Sequence, residues 1–180
     1  MLGHWPIPRR VLLTLIAIPL VVAGCSGGWG RPSRRPLPPP WYPAFNEHGD
    51  PLLAVFEGRT PCPPSAIQEG GPDCEKLKTA LALYQGRRTS GPTTYLLARV
   101  IRGRKVVLSG RWSVERGLDE CPAAQVYVLD TNAPADMRRY WRVSPHVLLF
   151  LDESGNVRAG NASWGFMLSR TGLSRTDPGS

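Results

Sequence analysis

From Leu52 onward, short runs rich in β-branched and aromatic residues are separated by clusters of Gly, Pro, Asn and Asp, the pattern of strands broken by turns. The runs predicted as strands are Leu52–Glu57, Leu77–Tyr84, Thr93–Arg102, Lys105–Val114, Gln125–Asp130, Arg139–Val143, Val147–Leu151, Asn156–Val157 and Trp164–Ser169. Arg102-Gly103-Arg104 and Asp152-Glu153-Ser154-Gly155-Asn156 read as hairpin turns. The stretch Glu75–Tyr84 fits two periods: Leu77, Leu81 and Tyr84 share a helical face, whereas Leu77, Thr79, Leu81 and Leu83 alternate as a strand requires. Consecutive antiparallel strands joined by short turns predict an all-β meander. Closing that meander into a small, lipocalin-like barrel removes the exposed edges that would aggregate.

The first residues follow another pattern. Arg9 and Arg10 precede an uncharged apolar run, Val11–Gly24, the layout of a secretory signal. About 14 residues at 1.5 Å each reach roughly 21 Å, short of the roughly 30 Å that a membrane-spanning helix must cross. The run ends Leu20-Val21-Val22-Ala23-Gly24-Cys25, which resembles the bacterial lipobox, where a cysteine is acylated and becomes the first mature residue. An ordinary signal cut near Ala23 is the competing expectation. Acyl chains contribute about 0.8 kcal/mol per buried CH₂, so an acylated Cys25 would hold the chain on a membrane. Ser26, rather than Asp, resembles the sorting signal for the outer membrane, facing the periplasm.

The segment from Ser26 to Ala44 carries Arg31, Arg34, Arg35, Pro36, Pro38, Pro39 and Pro40 with no periodic apolar face, and reads as a semi-extended linker. The expected organisation is therefore a signal peptide over 1–24, lipidated Cys25 and linker over 25–44, a barrel domain over 45–173 and a tail over 174–180. Lys and Arg outnumber Asp and Glu by 22 to 14, a net charge of +8, and removal of Arg9 and Arg10 leaves about +6. In an exported, tethered chain this favours anionic envelope neighbours, or solubility alone, over nucleic acid.

The order Phe56-Glu57-Gly58-Arg59-Thr60-Pro61-Cys62, Asp73-Cys74, Leu77–Tyr84, Thr93-Thr94-Tyr95-Leu96 and Gly110-Arg111-Trp112 resembles the N-terminal domain of the NlpE-like lipoproteins. The likeness extends through Val126–Asp130 and Leu149-Phe150-Leu151-Asp152 with Gly155, covering roughly Val55–Thr171. It implies an outer-membrane copper-resistance or envelope-stress lipoprotein with a lipocalin-related barrel, and it favours the strand over the helix for Leu77–Tyr84. The family's Cys-x-x-Cys is absent here, because eleven residues separate Cys62 from Cys74.

Beyond Cys25 the exported part holds Cys62, Cys74 and Cys121, an odd number. The favoured pairing is Cys62 with Cys74; pairing of Cys121 with either, or three free thiols, are the alternatives. Cys62 and Cys74, with Met167, His146 or His48, form a candidate Cu(I) ligand set, thiolates and thioethers suiting that ion. Against it, both histidines sit beside turn residues and Met167 is expected to pack in the core. No resident cofactor is expected otherwise. No Gly-x-Ser-x-Gly elbow, phosphate loop or His-Glu-x-x-His helix is present, Asp119-Glu120 and Asp152-Glu153 read as solvated turns, and a Cys121–His146 nucleophile pair has nothing to join it, so no catalytic activity is expected. Arg138, Arg139, Trp141 and Arg142 form a candidate interaction surface for an envelope partner, and Trp41-Tyr42 of the linker a second. Period-2 alternation would turn Tyr140 into the barrel and leave Trp141 and the arginines on its wall.

Overall fold

A computed structural model describes residues 41–119 and 121–172. The expected signal peptide, Cys25, most of the linker and the tail lie outside the described residues. Eight strands follow one another: β1 Leu52–Pro61, β2 Lys76–Gln85, β3 Pro92–Ile101, β4 Arg104–Leu118, β5 Cys121–Leu129, β6 Arg139–Ser144, β7 Val147–Phe150 and β8 Met167–Gly172. Each pairs antiparallel with the next, and β1 pairs with β8 through Phe56 opposite Arg170, so the sheet closes into a barrel. The meander expected from the alternating runs is the fold. The ambiguous Leu77–Tyr84 run is β2, in register with Thr60 opposite Leu77 and Phe56 opposite Leu81.

Boundaries depart from the expected ones in particular places. Asn156–Val157 is no strand but a single bridge, Val157 to Leu151, while the last strand begins at Met167 and not at Trp164. A turn and a loop occupy that stretch: Asp152 Oδ1 accepts the Asn156 N–H at 2.8 Å, and Asn161 Oδ1 accepts from Ser163 and Trp164. The β3–β4 turn has positive φ at both central residues, Arg102 at 48° and Gly103 at 79°, the type I′ geometry that matches strand twist. Glycine at the second position meets that need without a Cβ.

A short helix absent from the sequence reading, α1 Pro64–Gly70, sits between β1 and β2. Proline in its first turn lacks only an N–H that the helix could not use. Ser65 donates from N and Oγ to Asp136 at 2.9 and 2.8 Å, tying α1 to a 3₁₀ turn over Ala135–Met137. Ala66 and Met137, both without exposed surface, join the core at this end. Cys62 and Cys74 are bonded to each other and close the segment that carries α1.

Alternation then sorts the side chains. Phe56, Leu77, Leu81, Leu83, Tyr95, Leu97, Tyr140, Leu148, Phe150 and Leu168 point inward and are buried. Each such large apolar side chain contributes about 1.5–3 kcal/mol by leaving water. On the outside, Val55, Ala82 and Tyr84 are also buried, because Trp41 and Tyr42 lie across them with Leu52 and Leu96. Trp41 and Tyr42, assigned above to the linker, thus belong to the folded unit, and Tyr84 Oη donates to the Pro43 carbonyl at 3.0 Å.

Candidate functional site

The lumen is filled by side chains. Edge-on aromatic contacts run through it, with Trp112 and Tyr127 centroids 5.0 Å apart, Tyr140 and Phe150 4.7 Å apart, and Phe150 and Phe166 5.8 Å apart. One polar knot fixes its wall: Gly110 carries no Cβ where the Asp130 carboxylate comes down, and that carboxylate accepts the Tyr95 hydroxyl at 3.1 Å and the Arg111 N–H at 2.7 Å. Beside it Trp112 Nε1 donates to the Tyr84 carbonyl at 2.8 Å. Burial first, then the Asp130 charge, raises the Tyr95 phenol above its ordinary value.

A second polar layer lies towards α1. Arg99, opposite Thr79, is 2% exposed, and its Nη2 donates to Glu69 of α1 at 2.8 Å. Its Nε and Nη1, the Thr60 and Thr79 hydroxyls and the Tyr140 hydroxyl are buried with no hydrogen-bond partner among the described residues. Burial pushes the Tyr140 phenol strongly up.

The candidate ligands for Cu(I) do not converge. Cys62 and Cys74 form a disulfide, so neither offers a thiolate. His48 precedes β1 and His146 occupies the β6–β7 turn, both exposed, at the barrel end opposite the disulfide. Met167, expected in the core, lies instead on the outer wall, 40% exposed opposite Leu149, because the last strand's inward parity falls on Leu168. Among the described residues no group of three or more His, Cys, Asp or Glu side chains could hold an ion. Cys121 is a half-buried free thiol, with no hydrogen bond to His146.

The proposed Arg/Trp surface is divided by strand parity. Arg139 and Trp141 share the outer wall, where Arg139 Nη1 donates to Glu115 at 3.0 Å and both residues border a hollow of about 510 Å³ with Cys121 and Glu153. Arg142 faces inward with Tyr140, against the expectation that it lies on the wall: it stands opposite Leu148 and donates to Gln125 at 2.7 Å. Arg138 is turned into the preceding loop, donating to the carbonyls of Ala133 and Thr131. Cys25 lies outside the described residues.

Of the candidate surface at Trp41-Tyr42 the sequence showed the aromatics but not the groove beside them. On the outer wall of β1, β2 and β3, Ala80 and Ala98 floor a groove of about 510 Å³ whose end wall is Trp41 and whose margin carries Arg59, Lys78 and Lys105. Glu57, also in the margin, accepts the Trp41 indole N–H at 3.3 Å. The signal was present: Leu81–Tyr84 and Leu96–Ala98 are apolar at both parities, which marks strands covered on both faces rather than half-exposed ones.

Fold and surface together define an antiparallel meander barrel with a packed interior, and the two hollows bordered by Trp41 and by Trp141 lie on its outer wall. No family model, no curated protein and no solved structure matches the chain.

Proposed function

We propose that this protein is a lipid-anchored envelope lipoprotein of the NlpE-like kind, without catalytic activity, that acts as a stress- or surface-sensing interaction module through the outer wall of its barrel. The filled lumen is the observation that carries this reading. A lipocalin-like carrier needs an enclosed apolar cavity of about 300–1,000 Å³, whereas here the inward side chains of the middle layers, Leu81, Leu97, Tyr140, Leu148 and Leu168, have no exposed surface at all. Recognition must then use the outside, where Arg139 and Trp141 present the residue types favoured in interfaces. The apolar run ending at Cys25 and the Pro-rich segment after it support a tether to the outer membrane.

Two measurements test it in the native envelope. Cys25→Ser should move the protein from the membrane to the soluble fraction, and a photoreactive residue at position 141 should yield a discrete adduct with an envelope protein. A Cys25→Ser protein that stays membrane-bound overturns the anchor. Absence of any adduct from positions 141, 139 and 78 overturns the outer-wall interaction.

A further inference from the structure

We infer that the groove beneath Trp41 is a binding site for a free single-chain amphiphile with an anionic head, such as a long-chain carboxylate. This rests on the reading that recognition runs on the outer wall, and supplies the chemical class of one thing that wall would sense. Size argues for a small ligand. A stable protein interface takes about 20–30 residues a side, whereas ten residues line this groove, and its volume of about 510 Å³ falls within the range of small-molecule sites.

The groove's chemistry argues for an amphiphile of one sign. Its floor is apolar, formed by Ala80, Ala98 and Val100, and Trp41 walls one end with an indole that is only half-buried. Three cations border it, Arg59, Lys78 and Lys105, all exposed and none in an ion pair among the described residues. Lys105 stands over the Trp41 ring at 5.2 Å, a cation–π contact that holds its ammonium at that end of the groove. The one carboxylate of the margin, Glu57, is engaged by the indole N–H of Trp41. An acyl chain on the floor and an anionic head against Lys78 and Arg59 would satisfy both halves of the site. A neutral or cationic head would leave three cations uncompensated or repelled.

Strand geometry makes the site rigid. Ala80 stands directly opposite Ala98 across β2 and β3, and opposite Glu57 across β1 and β2, so floor and margin are fixed by closed ladders rather than by a loop. Trp41, by contrast, belongs to the segment that joins the barrel to the Pro-rich stretch, so occupancy of the groove would bear on the point where that stretch meets the barrel.

The experiment is a calorimetric titration of the purified protein with sodium myristate below its micellar range, set against tetradecanol and against vesicles of phosphatidylglycerol. Saturable binding of one myristate per barrel is expected, with tetradecanol weaker by about tenfold or more, the loss of one charge-assisted contact. Ala80→Leu, which fills the floor, and Lys78→Glu, at an exposed position that folding does not require, should each weaken myristate by about tenfold with unchanged circular dichroism. Equal affinity for tetradecanol, insensitivity to both variants, no binding, or binding only to the vesicles would each overturn the assignment. If myristate fails while the adduct at position 141 persists, only the amphiphile site is lost; if the adduct is absent while myristate binds, the partner reading is lost and the site stands.

Discussion

At the scale of single residues, the Tyr95–Asp130–Gly110 knot and the Arg99 layer behave as opposites. Asp130 answers three donors, and its removal leaves the buried Tyr95 hydroxyl and the Arg111 and Asn132 N–H groups without their acceptor. Asp130→Ala should cost about 1–3 kcal/mol, read as a lowered midpoint in urea at unchanged slope. Arg99 has one partner, and its Nε and Nη1 find none among the described residues, so its charge is poorly compensated. Replacing such a buried ion by an apolar side chain of similar volume is often neutral or stabilising, so Arg99→Met should leave the urea midpoint unchanged or higher. Glu69→Ala, which strands the guanidinium, should lower it. Because Glu69 is itself about a third exposed, 35%, water compensates part of that loss, and the cost falls below the 3–5 kcal/mol typical of fully buried pairs. An Arg99→Met variant that unfolds as readily as Glu69→Ala would sink this account of the layer. Tyr95, Gly110 and Asp130, residues of the motifs that carried the resemblance, come together at the Asp130 carboxylate, with Trp112 beside them. In the Arg99 layer, Thr79 was legible, since alternation puts it on the face of Leu77, Leu81 and Leu83, whereas Arg99 was not, because a charged residue at an inward position reads from sequence as a solvated one.

At the scale of elements, the strands were legible from period-2 alternation while α1 was not: seven residues make only two turns, too few for a helical period to show. Its signs were local, proline at the start and Gly71 with φ of 81° just after the end. The outer groove escaped for a related reason. Alanines at outward positions of β2 and β3 carry no chemistry of their own and gain meaning only from Trp41, which is distant in the chain and was assigned to the linker. Arg142 was misassigned because a run of arginines suggests one surface, although strand parity divides it. The segment holding α1 is closed by the Cys62–Cys74 bond, with a sequence separation of 12. Chain-entropy reasoning values such a loop at about 3 kcal/mol. Thermal unfolding with and without reductant should therefore show a lower Tm in reductant, and the Cys62→Ser, Cys74→Ser double variant should match the reduced protein and ignore reductant. A Tm indifferent to reductant would mean that α1 and its contacts to Asp136 hold the segment between β1 and β2 without the bond.

At the scale of the whole molecule, four of the five tyrosines are built into the barrel, and their ionisation links its stability to alkali. Burial raises Tyr84 to about 12, with Tyr42 adding to the shift, and burial is also the leading cause that raises Tyr95, Tyr127 and Tyr140. In the unfolded chain these phenols ionise near about pH 10. The folded state therefore holds their protons more tightly. That contribution to stability is fully present below about pH 10 and is lost as pH rises from there through the folded values, since only the unfolded chain gains phenolates in that window. The tyrosines consequently give no pH dependence near neutrality. Above about pH 10 the barrel should unfold cooperatively, with phenolate absorbance and loss of far-ultraviolet circular dichroism rising together. Tyr140→Phe separates this linkage from general charge repulsion. It removes a hydroxyl that has no partner among the described residues, so stability at neutral pH should hold or improve, and the alkaline midpoint should move upward because one proton fewer is released on unfolding. Phenolate absorbance that climbs in separate steps while the circular dichroism stays intact would show that the phenols reach solvent in the folded barrel, and would undo both this linkage and the packed lumen on which the outer-wall reading depends.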